Sequence, residues 1–177
     1  NVMIGNLNAV GATSAGYNTM VGEQAGRCLV DTSYNALFGA YAGNNMRGSY
    51  NVAFGRGALG GSATPADNTG GCNIAIGKNA AVNMTSGGNN IAIGCLAGCN
   101  ITSGDGNVAI GIAVTVASAT GDNQFIIGNG TNHWICGDSS YNLYDKDGNS
   151  LGGGFSADSQ ENLYAGTSAG AASDADT

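Results

Sequence analysis

The sequence predicts an all-β fold, a repetitive β-solenoid or β-roll of coils of about seventeen residues assembled as an elongated homotrimer. Three observations predict the coil. A motif of Asn, two mostly apolar residues, an aliphatic or Phe residue and Gly recurs from Asn1-Val-Met-Ile-Gly5 to Asn107-Val-Ala-Ile-Gly111, and Gln124-Phe-Ile-Ile-Gly128 is a degenerate copy. Its glycines, at 5, 22, 39, 55, 77, 94, 111 and 128, are spaced by 17, 17, 16, 22, 17, 17 and 17 residues. Composition agrees: 32 Gly, one Pro and 42% hydrophobic residues, mostly small, suit close backbone approach rather than one bulky core.

Within a coil the five-residue motif reads as a short strand. Alternation places Val108 and Ile110 on one face and Ala109 on the other. The larger residues are expected to fill the interior of the roll, and the Ala face to meet another chain. After the Gly comes a small pair, such as Ala25-Gly26, Ala42-Gly43, Ala80-Ala81 or Ala97-Gly98. A second apolar patch follows (Leu29-Val30, Val82 with Met84, Ile101-Thr102, Val114-Thr-Val116), and Thr/Ser-Gly closes several coils, as at Gly87 and Gly104. Each coil therefore reads as two short strands and two turns. Such strands are stable only when stacked on copies of themselves.

The repeated pairs Asn18 with Gly22, Asn35 with Gly39, Asn51 with Gly55, Asn73 with Gly77, Asn90 with Gly94 and Asn107 with Gly111 are read as structural. A stacked Asn amide can bond to its counterpart in the next coil or tie down a turn backbone. Catalysis needs one special position, not one residue type repeated in every coil.

Three regions follow from the period. Residues 1–128 form the repeat block, and the long interval holds a surface-loop insertion at 56–72 with Pro65. Residues 129–158 interrupt the period, and a further repeat block begins in 159–177, at Asn162-Leu-Tyr-Ala-Gly166. The interruption gathers His133, Trp134, Tyr141, Tyr144 and Phe155 around Asp145-Lys-Asp-Gly148, a hairpin signal. Trp134, Tyr141, Tyr144 and Asp145 have the chemistry to stack on sugar rings and hold hydroxyls. The competing reading is that Trp134 and the tyrosines plug the end of the roll. Because the sequence begins and ends within repeats, it reads as a piece of a longer polypeptide.

Several function classes find no support. The net charge is −7 and the five Lys and Arg are scattered singly, which argues against nucleic acid as a partner. No apolar run is long enough to insert into a membrane. Five dispersed Cys, without Cys-x-x-Cys, read as small buried hydrophobes rather than a zinc or redox motif, and they suit assembly in a reducing compartment. Asp145, Asp147 and Asn149 alternate as in a calcium loop, but Ser150 stands where Gly is needed. No metal, cofactor or enzymatic activity is expected. Asn83, Asn100 and Asn129 match the glycosylation pattern, which chance supplies in so Asn- and Thr-rich a chain.

Asn90-Ile-Ala-Ile-Gly94 and Asn107-Val-Ala-Ile-Gly111 resemble the head repeats of trimeric autotransporter adhesins. The longer form, Tyr17-Asn-Thr-Met-Val-Gly-Glu-Gln-Ala-Gly26 and Tyr34-Asn-Ala-Leu-Phe-Gly-Ala-Tyr-Ala-Gly43, is similar to repeat regions of bacteriophage tail fibres. That resemblance implies a trimeric shaft in the virion that carries attachment to a host-surface glycan or protein receptor. The longer period and the cysteines depart from adhesin heads and favour the fibre. A bacterial surface adhesin or extracellular filament subunit, at the cell surface, is the alternative reading, and a polysaccharide-degrading tailspike a third.

Overall fold

The computed structural model describes residues 1–9, 16–138, 140, 142–145 and 147–151, and the backbone alone at 156–157 and 163–164. It is a β-solenoid of about seven turns. Strands β1 (Val2–Ile4), β2 (Thr19–Val21), β3 (Ala36–Phe38), β4 (Val52–Phe54), β5 (Ile74–Ile76), β6 (Ile91–Ile93), β7 (Val108–Ile112) and β8 (Phe125–Asn129) stack in chain order as one parallel sheet. Their register follows the glycine spacing: Val2 pairs with Thr19, Ala36 with Val52, Val52 with Ile74 and Ile91 with Val108. At ~4.8 Å between strands, eight strands span about 34 Å along the axis. Strands β9 (Asn132–Gly137) and β10 (Leu143–Asp145) then continue the sheet antiparallel. Two short segments, Ser156–Ala157 and Leu163–Tyr164, pair with each other, and the rest of the repeat block expected in 159–177 lies outside the described residues.

Among the described residues each coil contains one strand, not two. The second apolar patch is non-strand backbone, although Leu29, Met84, Ile101, Val114 and Val116 from it are buried in the core. Corners in the left-handed region replace the second strand. Sixteen described residues other than Gly have positive φ, and they recur at fixed places in the coil. One place immediately precedes the repeat Asn (Tyr17, Tyr34, Tyr50, Cys72, Asn89, Asn123), and another falls two residues after the Gly (Gln24, Tyr41, Asn79, Leu96). A left-handed non-Gly residue costs about 1–2 kcal/mol. Sixteen of them persist because stacking fixes the conformation: the corner N–H of Tyr41 donates to Glu23 O, Asn79 to Arg56 O and Leu96 to Lys78 O, each at 2.8–2.9 Å.

The repeat glycine, which directly follows β1 to β6 and lies within β7 and β8, is there for a different reason. Gly22, Gly39, Gly55, Gly77, Gly94 and Gly111 have φ between +127° and +135°, and a Cβ at Gly94 would land on the carbonyl oxygen of Gly111. The backbones of successive coils meet there with no room for a side chain.

The strand faces are the reverse of the expectation. Ala53, Ala75, Ala92 and Ala109 point inward and are fully buried, whereas Val52, Phe54, Ile74, Ile76 and Ile93 point outward and are exposed. The coil is too thin for the alternative. Its interior takes one large side chain from beyond the strand, such as Leu59, Met84 or Ile101, so the strand can add only Ala. Where Met20 and Leu37 do point inward from β2 and β3, Gly26 and Gly43 make the room: a Cβ at Gly26 would meet Met20 Sδ, Leu29 Cδ1 and Leu37 Cδ1 within 3 Å. In these two coils a large strand residue is thus matched by a Gly across the interior. The insertion adds a single 3₁₀ turn, Pro65–Asp67, between β4 and β5. Buried Asn68 ties it down, donating to Asn45 O and Ser62 O at 3.0 Å.

This orientation predicts unequal effects for two chemically identical substitutions. Ala92→Leu overpacks the interior and should destabilise by about 1–3 kcal/mol, whereas Ala36→Leu, on the outward face of β3, should be tolerated. Thermal melts of the two variants check it; equal costs would return the Ala face to the outside.

Candidate functional site

Three surfaces of the coil stack present side chains in regular columns. The first is the outward face of the sheet. Two residues of each strand form two columns, one from Val2 to Phe125 and one from Ile4 to Ile127, and of these sixteen side chains only Thr19 is polar and none is charged. Phe38 and Phe54 stack within it at 5.7 Å. Ile135 and Leu143 are also exposed and carry the apolar face onto β9 and β10.

The second surface is a column of stacked tyrosines at a corner. Tyr17, Tyr34 and Tyr50 lie 5.0 and 4.9 Å apart, with ring planes within 3° and 6° of parallel. The column follows from register, because a residue that precedes the repeat Asn in one coil sits over its counterpart in the next. The sequence carried this signal in the spacing of the tyrosines, but their stacking became evident only from the coil.

The repeat asparagines form the third column, and it is internal. Asn18, Asn35, Asn51, Asn73, Asn90 and Asn107 are all buried. Each Oδ1 accepts the main-chain N–H of the counterpart one coil on, at 2.8–2.9 Å from Asn18–Asn35 to Asn107–Gln124. The amide nitrogens hold turn carbonyls: Asn73 Nδ2 donates to Gly87 O, Asn90 to Gly104 O and Asn107 to Gly121 O, each at 2.9 Å. Every polar atom of this column is committed to the fold. The glycosylation-pattern Asn83 and Asn100 are likewise engaged, donating to Cys99 O and Val116 O.

The interruption forms a two-stranded cap on the last coil. Trp134 occupies a β-bulge: Ile127 pairs with Ile135 and Gly128 with His133, leaving Trp134 without an opposite residue. It is 64% exposed and does not plug the roll, which corrects that expectation. Buried Ile126 closes the core here instead, with half-buried Cys136 packed against it. Tyr144 lines a cleft of about 160 Å³ with His133, Cys136 and Gln124, a cleft that includes neither Trp134 nor Asp145. Asp145 holds its own turn, accepting the N–H of Asp147 and Asn149 and the Asn149 side-chain amide at 2.9–3.0 Å. Tyr141 lies outside the described residues.

Asp138 organises the loop between β9 and β10. Its carboxylate accepts the Asn142 side-chain amide, the N–H groups of Asn142 and Ser140, and the Tyr144 hydroxyl at 2.9 Å. The Asn142 side-chain bond is the main reason its carboxyl lies below the usual carboxylate range; the bond to Asp138 holds the Tyr144 phenol above its ordinary value. The five cysteines are free thiols, one exposed and four half-buried, rather than fully buried. No helix among the described residues is long and apolar enough to cross a membrane, and none of their His, Cys, Asp and Glu form a group suited to a metal ion.

No protein-family model matches the chain, and neither a curated protein nor a solved structure is significantly similar to it.

The Asp138 loop has a definite pH dependence. A carboxylate whose folded pKa is depressed contributes in full above its unfolded value and loses that contribution as pH falls through the lower folded one. Acidification below about pH 4 should therefore loosen β9 and β10 before the coils, read as a change in Trp134 fluorescence ahead of the loss of β-sheet circular dichroism. In Asp138→Asn the fluorescence should no longer respond separately.

Proposed function

We propose that this chain is a shaft segment of a bacteriophage tail fibre, a homotrimer that holds host-recognising surfaces away from the virion. The observation that carries the reading is the charge-free apolar face along one side of the coil stack. Sheets of parallel strands are ordinarily covered on both faces, and here only the inner face is covered within the chain. Three copies set side by side about a common long axis bury these faces against one another, in a closed symmetry that preserves chain direction. The product is a stiff rod whose length grows with the number of coils.

Two further features support this reading. Small coils joined by continuous ladders give length and stiffness for few residues, which is what a shaft requires. Free thiols suit a chain assembled in a reducing cytoplasm, as virion proteins are, better than one exported through an oxidising compartment.

Sedimentation of the isolated segment should give a trimer, and Ile93→Lys, which places a charge in the outward column, should give a folded monomer. Gold-labelled antibody to the segment should mark the tails of virus particles from the native source. A compact wild-type monomer at micromolar concentration would remove the trimer, and label along cell envelopes would move the protein to the adhesin class.

A further inference from the structure

Coil four breaks the ladder of corner side chains. Two residues after the strand-ending Gly, the coils carry Gln24, Tyr41, Asn79 and Leu96, but coil four carries Gly57; five residues after it they carry Arg27, Asn44, Val82 and Cys99, but coil four carries Gly60. The backbone does not demand these glycines. Gly57 has φ of +68°, in the left-handed corner that Gln24, Tyr41 and Asn79 adopt at +54°, +61° and +54°, and Gly60 is not in the left-handed region at all. Gly60 leaves a gap where the neighbouring coils have side chains, and over Gly57 the Asn79 amide takes the space a side chain would fill and so borders that gap.

The gap is a groove of about 440 Å³, within the roughly 300–1,000 Å³ range of small-molecule sites. Tyr41 and Asn44 wall it on one side, and Asn79 and Val82 on the other. Arg27 and Arg56 also line it, and no lining residue is acidic. In a chain of net charge −7 with five basic residues, two of the five converge here. The Arg56 guanidinium is set over the Tyr41 ring, 5.6 Å from its centroid. Asn44 Nδ2 donates to Gln24 Oε1 at 3.5 Å, a long hydrogen bond that either amide can exchange for a ligand.

We infer that this groove binds a carboxylate-bearing saccharide. Two guanidiniums without a carboxylate beside them in the groove supply charge-assisted donors for an anion. The amides of Asn44 and Asn79 offer both donors and acceptors, as sugar hydroxyls require, and a bare inorganic anion would leave their acceptor oxygens unused; the oxygens of Gln24 and Asn45 already accept from Asn44 Nδ2 and the Cys28 thiol. No strand residue lines the groove, so burying the sheet faces in a trimer leaves it open on the outside of the rod. It also adjoins the start of the insertion, where Gly61 leads into the loop held by Asn68. The assignment of a saccharide from a host surface rests on the attachment reading; the groove itself does not.

Nuclear magnetic resonance titration of the 177-residue protein with glucuronic acid tests the inference, with glucose and acetate as controls. Glucuronic acid should shift the resonances of Tyr41, Asn44, Arg56 and Asn79 saturably, and neither control should. Arg27→Gln and Arg56→Gln should each weaken binding by about tenfold or more, whereas Arg47→Gln, outside the groove, should leave it unchanged. Gly60→Asn copies the coil-three residue into the gap and should abolish binding with the amide spectrum of the coils retained. Binding of acetate as tight as that of glucuronic acid would overturn the saccharide, and binding that survives Gly60→Asn would overturn the groove. Because the readout is binding to the isolated chain, a protein found on cell envelopes rather than virions would leave this result standing.

Discussion

The buried asparagine column is the interaction on which the rest of the structure depends. Inside a coil too thin for a conventional core, each Asn makes three bonds at once, two through its side chain and one through its main-chain N–H. Its Oδ1 takes the main-chain N–H of the next coil, and its Nδ2 takes the carbonyl of a closing turn, as Asn90 does with Asn107 and Gly104. Its own N–H bonds back to the preceding Asn, so the column runs unbroken from Asn1 to Gln124. Aspartate lacks the donor and would bury a charge; serine cannot reach both partners. Gln124 ends the series with one more methylene, and its amide reaches both Ser118 O and Gly121 O. Each of these buried groups left unpaired would cost about 1–3 kcal/mol.

Register fixed in this way explains the surfaces. Since every coil begins at the same height and angle, any residue type placed at one point in the repeat becomes a column along the rod. Apolar residues at the outward strand positions become an uncovered face, tyrosines become a stack, and a pair of glycines in one coil becomes a notch. The two sides of the same coil thereby differ: the sheet side is apolar and continuous, and the corner side mixes polar and apolar residues and varies from coil to coil.

Much of this was legible in the sequence. The Asn-to-Gly interval gave the coil length, the strand positions and the register, including the 22-residue step filled by the loop around Pro65. The turn after Asp145 was also legible, because Asp147-Gly148 has few alternatives; the N–H of Gly148 donates to Asp145 O at 3.1 Å. What could not be read was the width of the coil. Alternation at Val108, Ala109 and Ile110 shows two faces but not which one is inside, and that depends on how much volume Ile101 or Met84 already takes across the interior. The left-handed corners were hidden for a related reason: Tyr, Gln and Leu have no intrinsic preference for positive φ, and only stacking imposes it. At the cap, the expectation for Trp134 rested on hydrophobicity, and a one-residue bulge turned the ring to solvent. The groove at Gly57 and Gly60 is an absence of side chains, conspicuous only once the neighbouring coils are laid over it.

The most direct test of the asparagine column is Asn90→Ala, studied by amide hydrogen exchange and thermal unfolding. The substitution removes the acceptor of the Asn107 N–H and the donor to Gly104 O while leaving the outward face untouched. The account predicts rapid exchange at Asn107, loosened protection in the adjoining coils and a marked fall in melting temperature, as expected for a loss of about 1–3 kcal/mol per unpaired group. Unchanged protection at Asn107 with an unchanged melting temperature would show that the backbone ladder holds the coils without the side chains, and would contradict it.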